Sequence, residues 1–195
     1  MNHLIAIYGL SALFLAVMLE SAGLPVPGET ALIAASVLAA QGLLSLPLVI
    51  GVTAAAAIIG DNAGYWLGRV AGRQLLTRWR PVARYTEKML PAAERFFARH
   101  GGKAVFLARF LPGLRVIGAL VAGIAGMEWW RFLVWNVAGG VVWATSVALI
   151  AYSLGEAVAS AVGGYGLMGG VLVIAAAAVL YGLVHGLRRW RARDR

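Results

Sequence analysis

Two proline-glycine turns interrupt apolar sequence of membrane-entering length, and charge flanks both. The first runs Glu20-Ser21-Ala22-Gly23-Leu24-Pro25-Val26-Pro27-Gly28-Glu29-Thr30, and the second runs Arg109-Phe110-Leu111-Pro112-Gly113-Leu114-Arg115. An ionised side chain at the bilayer centre costs about 2.5 to 3.5 kcal/mol on the mildest insertion scale, and a Pro-Gly break frees backbone groups that hydrocarbon cannot hydrogen-bond. A chain that accepts both penalties twice, with opposite signs, fits segments lining a polar cavity better than a simple anchor. The expectation from this feature is transport.

Composition fixes the solvent. With 61% hydrophobic and 13% charged residues and a mean hydropathy of +0.81, a soluble fold of this chain would expose apolar surface almost everywhere. The formal charge of +9 would suggest nucleic acid in a soluble protein, but nine of the 17 basic residues lie between Arg69 and Lys103 and five between Arg188 and Arg195. Both clusters abut long apolar runs, the pattern of the positive-inside rule and of contact with anionic lipid, so no nucleic-acid partner is expected. The absence of cysteine excludes disulfides, thiolate catalysis and Cys-based metal sites. The amino terminus has no basic n-region, and its apolar run reaches Glu20 without an Ala-x-Ala site, which reads as a retained membrane segment.

These features predict an all-α integral membrane protein, a single transmembrane domain over residues 1–195. A run from Leu4 to Leu19 is barely long enough to cross. Thr30 to Leu46 either spans or forms a re-entrant hairpin with the first turn. Leu48 to Leu67 is long enough to span and leads into a basic interfacial segment, residues 69–103, where Trp79, Tyr85, Met89, Phe96 and Phe97 alternate with Arg and Lys, and Pro81 and Pro91 cut short helices. A second short run carries Arg109 and Arg115 and ends near Gly126. Two spans, Phe132 to Leu154 and Tyr165 to Leu187, then form an out-and-back pair before a basic cytoplasmic tail, 188–195. With both basic clusters cytoplasmic, the amino and carboxyl termini are cytoplasmic and two re-entrant helical hairpins enter from opposite faces, the outline of an inverted-repeat transporter.

Arg109 and Arg115 are candidate substrate-binding residues. Six positions apart, they do not share a helix face, but a hairpin between them can converge both guanidiniums on one anion, and arginine suits bidentate phosphate recognition. The alternative is that both reach out to headgroups. Glu20 and Glu29 are candidate proton-coupling acids, since burial and a neighbouring guanidinium push a carboxylate's proton affinity in opposite directions. Their alternative is solvation at the outer interface, with Glu29 favourably placed near a helix start. Asp61 joins them; its partner is either an arginine of the second hairpin or a structural hydrogen bond within the bundle, with Tyr65 one turn on. Gly60, Gly64, Gly68 and Gly72 form a smooth strip for close helix packing. Asn136, Gly139, Gly140 and Trp143 read as a polar packing seam. His3, His100 and His185 fall at ends or interfaces and carry no assignment. No Ser/His/Asp grouping or metal-spaced cluster occurs in the apolar segments, so neither an enzyme nor a metal or cofactor site is expected.

Taken together, Glu20 with Pro25-x-Pro27-Gly28-Glu29, Gly60-Asp61-x-x-Gly64-Tyr65-x-x-Gly68-Arg69, Arg109-Phe110-x-Pro112-x-x-Arg115 and Phe132-x-x-x-Asn136-x-x-Gly139-x-x-x-Trp143 resemble the DedA family of the SNARE-associated or VTT-domain superfamily. The resemblance spans about Glu20 to Trp143. It implies paired re-entrant hairpins, dependence on the proton motive force, and movement of lipids such as undecaprenyl phosphate or phosphatidylethanolamine-like lipids across the bacterial cytoplasmic membrane. It also implies that Glu20 and Glu29 match the family's essential membrane acids, and Arg109 and Arg115 its essential arginines. The acid turn is short here, with Glu rather than Asp after Pro-Gly. The expected function is proton-coupled translocation of a phosphate-bearing lipid; a proton or small-ion antiporter and a non-transporting envelope scaffold are the alternatives. Expected partners are anionic phospholipid or polyprenyl phosphate and protons, with a second copy of the chain left open.

Overall fold

The computed structural model describes residues 2–78, 95–97, 99–111 and 114–191, with side chains placed for 7–70, 95–97, 99–111, 114–115 and 117–160. Among the described residues, six helices have defined bounds: α1 (Asn2–Ser21), α2 (Gly28–Ala40), α3 (Leu46–Arg78), α4 (Lys103–Ala108), α5 (Leu114–Ile124) and α6 (Trp129–Arg191). Two stretches are long and apolar enough to cross a membrane, Leu46–Val70 in α3 and Trp129–Ser160 in α6, while Ile7–Ser21 and Gly28–Ala40 are shorter apolar helices.

Glycine and proline set the boundaries. α1 closes when the Gly23 N–H bonds Glu20 O and the Leu24 N–H bonds Leu19 O, both at 3.0 Å, with Gly23 at φ 100°. That left-handed turn strains any residue with a Cβ, and the two bonds satisfy carbonyls that the helix end would orphan. The same pair of bonds ends α2 at Gly42 and α5 at Gly126. Pro27 precedes α2 and leaves Glu29 in its first turn, near the positive end of the helix dipole. Pro47 sits in the first turn of α3, where its missing N–H has no intrahelical partner to lose.

α3 and α6 run antiparallel through the centre: the Trp129 indole N–H donates to Asn62 Oδ1 at 3.1 Å, the Asn136 amide donates to Ile58 O at 3.2 Å, and Gly140 faces Ile58 and the Ala54 carbonyl. α1 packs parallel to α3, with Met18 against Gly60 and Ser21 against Gly64. The glycine strip then meets α5, where Ala119 faces Gly64 and the Leu120 carbonyl covers Gly68. A methyl group at Gly60 or Gly68 would collide with backbone, so the strip is a packing surface, as its spacing predicts. α6 in turn packs on α2 and α4, with Val37 and Ala40 against Gly155 and Phe106 against Gly139. One core gathers α1, α2, early α3 and Trp143, Ala144 and Ala148 of α6; the other gathers Tyr65, Phe97, α4, α5 and Phe132.

Two expectations change. Phe132–Leu154 and Tyr165–Leu187 are not an out-and-back pair: they lie on one uninterrupted helix of 63 residues. No proline follows Pro112, the intervening stretch holds Ala157, Ala159 and Ala161, and an interior glycine costs only about 1 kcal/mol, so nothing local forces a turn. With one helix in place of that pair, the chain makes no return crossing between Phe132 and Leu187 that would bring the carboxyl terminus back to the side of the first basic cluster. Second, α3 does not stop near Leu67 but continues through Arg69 to Arg78, with no proline before Pro81 to break it. Residues 79–94, with Trp79, Tyr85 and Met89, and the Pro112-Gly113 turn lie outside the described residues. Of the basic segment's remainder, Phe97 is buried in the second core while Arg95, Arg99 and His100 are exposed.

Candidate functional site

The breaks after α1 and α4 bring five charged side chains to the middle of the molecule. After α4 the chain tightens: Arg109, Phe110 and Leu111 each donate a backbone N–H three residues back, at 3.3, 3.1 and 3.0 Å. This tighter winding follows a helix of only six residues and directs Arg109 inward. Its guanidinium bonds the Asp61 carboxylate and donates to Asn136 Oδ1 at 2.7 Å. The Asn136 amide reaches Ile58 O, and Ile58 is the central residue of the Leu46–Val70 stretch. The pair therefore sits near the middle of a membrane-length helix. With side chains only 4% and 11% exposed, Arg109 and Asp61 are enclosed in protein, which removes the headgroup reading for Arg109.

Arg115 opens α5 and spans to the other half of the fold. Its Nη2 lies 2.6 Å from Glu20 Oε1 and its Nη1 lies 3.1 Å from Glu29 Oε2, so one fork holds acids from the end of α1 and the start of α2. Gly28 lets that junction close: a Cβ there would sit 2.6 Å from Glu20 Oε2 and 2.8 Å from Val17 Cα. Glu20 is largely covered, whereas the Glu29 side chain is 48% exposed. The headgroup reading of Arg115 therefore gives way to an internal ion-pair network.

Trp143 connects the two arginines. Its ring centroid is 5.9 Å from the Arg109 guanidinium carbon and 5.0 Å from that of Arg115, within range for attraction to the aromatic face. Asp61, Arg109, Arg115, Ala119 and Phe132 are among the residues lining a cavity of about 10 Å³, room for roughly one water. The sequence-predicted residues Glu20, Glu29, Asp61, Arg109 and Arg115 thus form one cluster, but the arginines address different carboxylates instead of converging on one point. Asp61 takes the arginine partner, not Tyr65. Tyr65 instead donates to Met127 O at 2.5 Å and stacks on Phe132, and Arg69 donates to Tyr65 Oη and Met127 O at 3.0 and 2.9 Å.

Two site residues were read from sequence only as packing. Asn136 and Trp143 are seven positions apart, two turns along one face of α6, with Gly139 and Gly140 between them. That face meets the arginines: Gly139 would place a Cβ 3.5 Å from Arg109 Nε. A polar residue, a glycine pair and a tryptophan sharing one face of an apolar helix was the available signal.

A helical bundle with two helices long and apolar enough to cross a membrane, and a buried charge network between them, fits an integral membrane protein. Residues 26–153 match the family model of the VTT domain. An uncharacterized membrane protein of Synechocystis is 40% identical over 151 residues, covering 77% of this chain and 69% of that protein. Protein DedA of Escherichia coli is 32% identical over 163 residues, covering 78% of this chain and 73% of the relative, and the Escherichia coli inner membrane protein YohD is 34% identical over 159 residues, covering 82% and 77%. Mycobacterial membrane proteins match at 38% over 143 residues, and the chain spans 66% of their length. No solved structure matches. The chain belongs to the VTT-domain, or DedA, family of membrane proteins.

Proposed function

We propose that this protein is a proton-coupled transporter that carries a phosphate-bearing lipid, such as undecaprenyl phosphate, across the bacterial cytoplasmic membrane. The observation that carries the reading is Arg115 bridging Glu20 and Glu29 where the two broken helix pairs meet. Arginine cannot discharge itself by losing a proton, and its fork matches phosphate oxygens as well as carboxylates. A carboxylate can be removed from that fork by protonation. In the closed arrangement the cavity is far too small for a phosphate, so the lipid headgroup enters by replacing a carboxylate, not by filling a vacant pocket.

The packing pattern supports an inverted repeat. α1–α3 and α4–α6 each comprise a broken pair followed by a long helix, the long helices are antiparallel, and each packs on the first helix of its own half and the second helix of the other. Glu29 and Arg115 are both second residues, of α2 and α5. On this reading both broken pairs are re-entrant hairpins whose tips meet at the bilayer centre, and the basic residues following Arg69 face the cytoplasm.

The test is reconstitution into liposomes, following leaflet-to-leaflet movement of labelled undecaprenyl phosphate with and without a pH gradient. Gradient-dependent movement that is absent in Arg115→Ala and in Glu20→Gln/Glu29→Gln supports the reading. Folded protein that moves no lipid while carrying protons against a cation would replace it with ion antiport.

A further inference from the structure

Arg109 and Arg115 share an aromatic neighbour but not a charge balance. Arg109 meets one carboxylate, Asp61, and one neutral amide, Asn136, whose own N–H is satisfied by Ile58 O. Arg115 meets two carboxylates, Glu20 and Glu29. Among the described residues, the charged groups facing this triad from the packed elements are Asp61 on α3 and Arg109 after α4, and these two are already paired with each other. α6 presents only the uncharged Asn136 and Trp143. Three acids against two guanidiniums leave one negative charge without a partner, and the one-to-one pairing at Arg109 localises it on Glu20 and Glu29. An unbalanced charge at membrane depth is strongly disfavoured, and two carboxylates crowded onto one site do not both ionise readily.

We infer that Glu20 and Glu29 share one proton while Arg115 is closed on them, and that an anionic phosphate gains Arg115 only with uptake of one further proton per negative charge it brings. This rests on the transporter reading above. The balance is simple. A phosphodiester replaces the carboxylate oxygens as acceptor of the Arg115 Nη–H bonds; the carboxylate released takes a proton on Oε; Arg115 and the phosphate then cancel, and both acids are neutral. A phosphomonoester dianion needs a second proton, which resides on its own phosphate oxygen. Arg109 stays on Asp61 throughout and serves as a positioning residue, holding the floor of the cavity while Arg115 exchanges partners. Coupling is thereby electroneutral: the site can move toward either face with no net charge.

The probe is dihexanoyl phosphatidylglycerol, a phosphodiester with one negative charge that does not titrate between pH 6 and 8, with dihexanoyl phosphatidylcholine as the zwitterionic control. Binding to the full-length protein in detergent is measured by calorimetry across that range and in buffers of different ionisation enthalpy. One-proton linkage weakens binding about tenfold per pH unit as pH rises, with one proton taken up per lipid bound. In Glu20→Gln/Glu29→Gln both acids are permanently neutral, so binding becomes independent of pH and proton uptake falls to zero. Wild-type binding without proton uptake, or a double variant that keeps the slope, overturns the inference and leaves the transporter reading standing. Folded wild type that binds no phosphodiester at any pH overturns both. Should the double variant fail to fold, wild-type protein in liposomes decides. Lipid movement driven by a pH gradient and indifferent to a potassium diffusion potential of either sign supports electroneutral coupling, and movement driven by the potential overturns it.

Discussion

Arg109 and Arg115 present their guanidiniums to the same indole, at 5.9 and 5.0 Å, from opposite ends of one Pro-Gly break, and they differ in almost everything else. Arg109 is sealed in protein and uses a single nitrogen, Nη2, for both Asp61 and Asn136. Arg115 is partly accessible and spreads two nitrogens across two acids from the opposite half of the fold. The first arrangement is balanced in charge, one guanidinium to one carboxylate, with the neutral Asn136 tying the pair to Ile58 O of α3. The second is over-supplied with acceptors, so one partner can leave without stranding the guanidinium. Identical side chains thus sit in different surroundings, and on the proposed mechanism the first is a fixed counter-ion and the second an exchangeable contact.

The sharpest way to break this contrast is to remove an acid from each side. Asp61→Ala leaves the Arg109 charge buried and unpaired, a loss of about 3 to 5 kcal/mol. We expect a large fall in the thermal unfolding midpoint of the purified protein in detergent. The double variant Asp61→Ala/Arg109→Ala recovers part of that loss. If Glu29→Ala destabilises as much as Asp61→Ala, the division between a sealed pair and an exchangeable triad fails.

Trp143 tests whether the two sites share a floor. Each guanidinium–ring contact is worth about 0.5 to 2 kcal/mol, so Trp143→Leu is expected to cost roughly 1 to 4 kcal/mol through both arginines, and Trp143→Phe, which keeps an aromatic face, clearly less. A double-mutant cycle of Trp143→Leu with Arg115→Ala measures the Arg115 share directly. Zero coupling in that cycle means the ring packs beside Arg115 without holding it.

How far the sequence reached follows the same division. The charged Pro-Gly breaks, the glycine strip and the identity of the five charged residues were legible, because proline, glycine and ionised groups each carry a local penalty that apolar sequence makes conspicuous. The pairing was not. Asp61 with Arg109 was one of two open alternatives, and the assignment of Glu20 and Glu29 to Arg115 alone depends on which helix ends meet, which no local pattern encodes. Trp143 and Asn136 were visible as one face of α6, but a face does not name what lies opposite it. The missing turn between Leu154 and Tyr165 was inferred from span length, and length limits what can cross a membrane without forcing a helix to end.

Lysine separates the arginines more finely. Arg115 needs its fork to hold two partners, and losing one charge-assisted hydrogen bond costs about 1.5 to 3 kcal/mol, a tenfold to hundredfold loss of phosphate binding in Arg115→Lys. Both Arg109 contacts pass through one nitrogen, so Arg109→Lys is expected to retain more of its binding. Calorimetric titration with the short-chain phosphodiester compares the two, and equal losses would mean that both guanidiniums contact the phosphate.

The smallest expected effect is on stability in Glu29→Gln. The Glu29 side chain is 48% exposed and holds Arg115 at 3.1 Å, while the closer Glu20 contact at 2.6 Å remains. Pairs of this exposure contribute at most about 1 kcal/mol, so the unfolding midpoint should barely move. On the charge balance proposed above, gradient-driven lipid movement should survive this single change, because Glu20 on Arg115 remains a balanced pair that can still take up and give back one proton, and should stop only in Glu20→Gln/Glu29→Gln. Movement lost in Glu29→Gln while the unfolding midpoint holds would make Glu29 itself the proton carrier and end the sharing between the two acids.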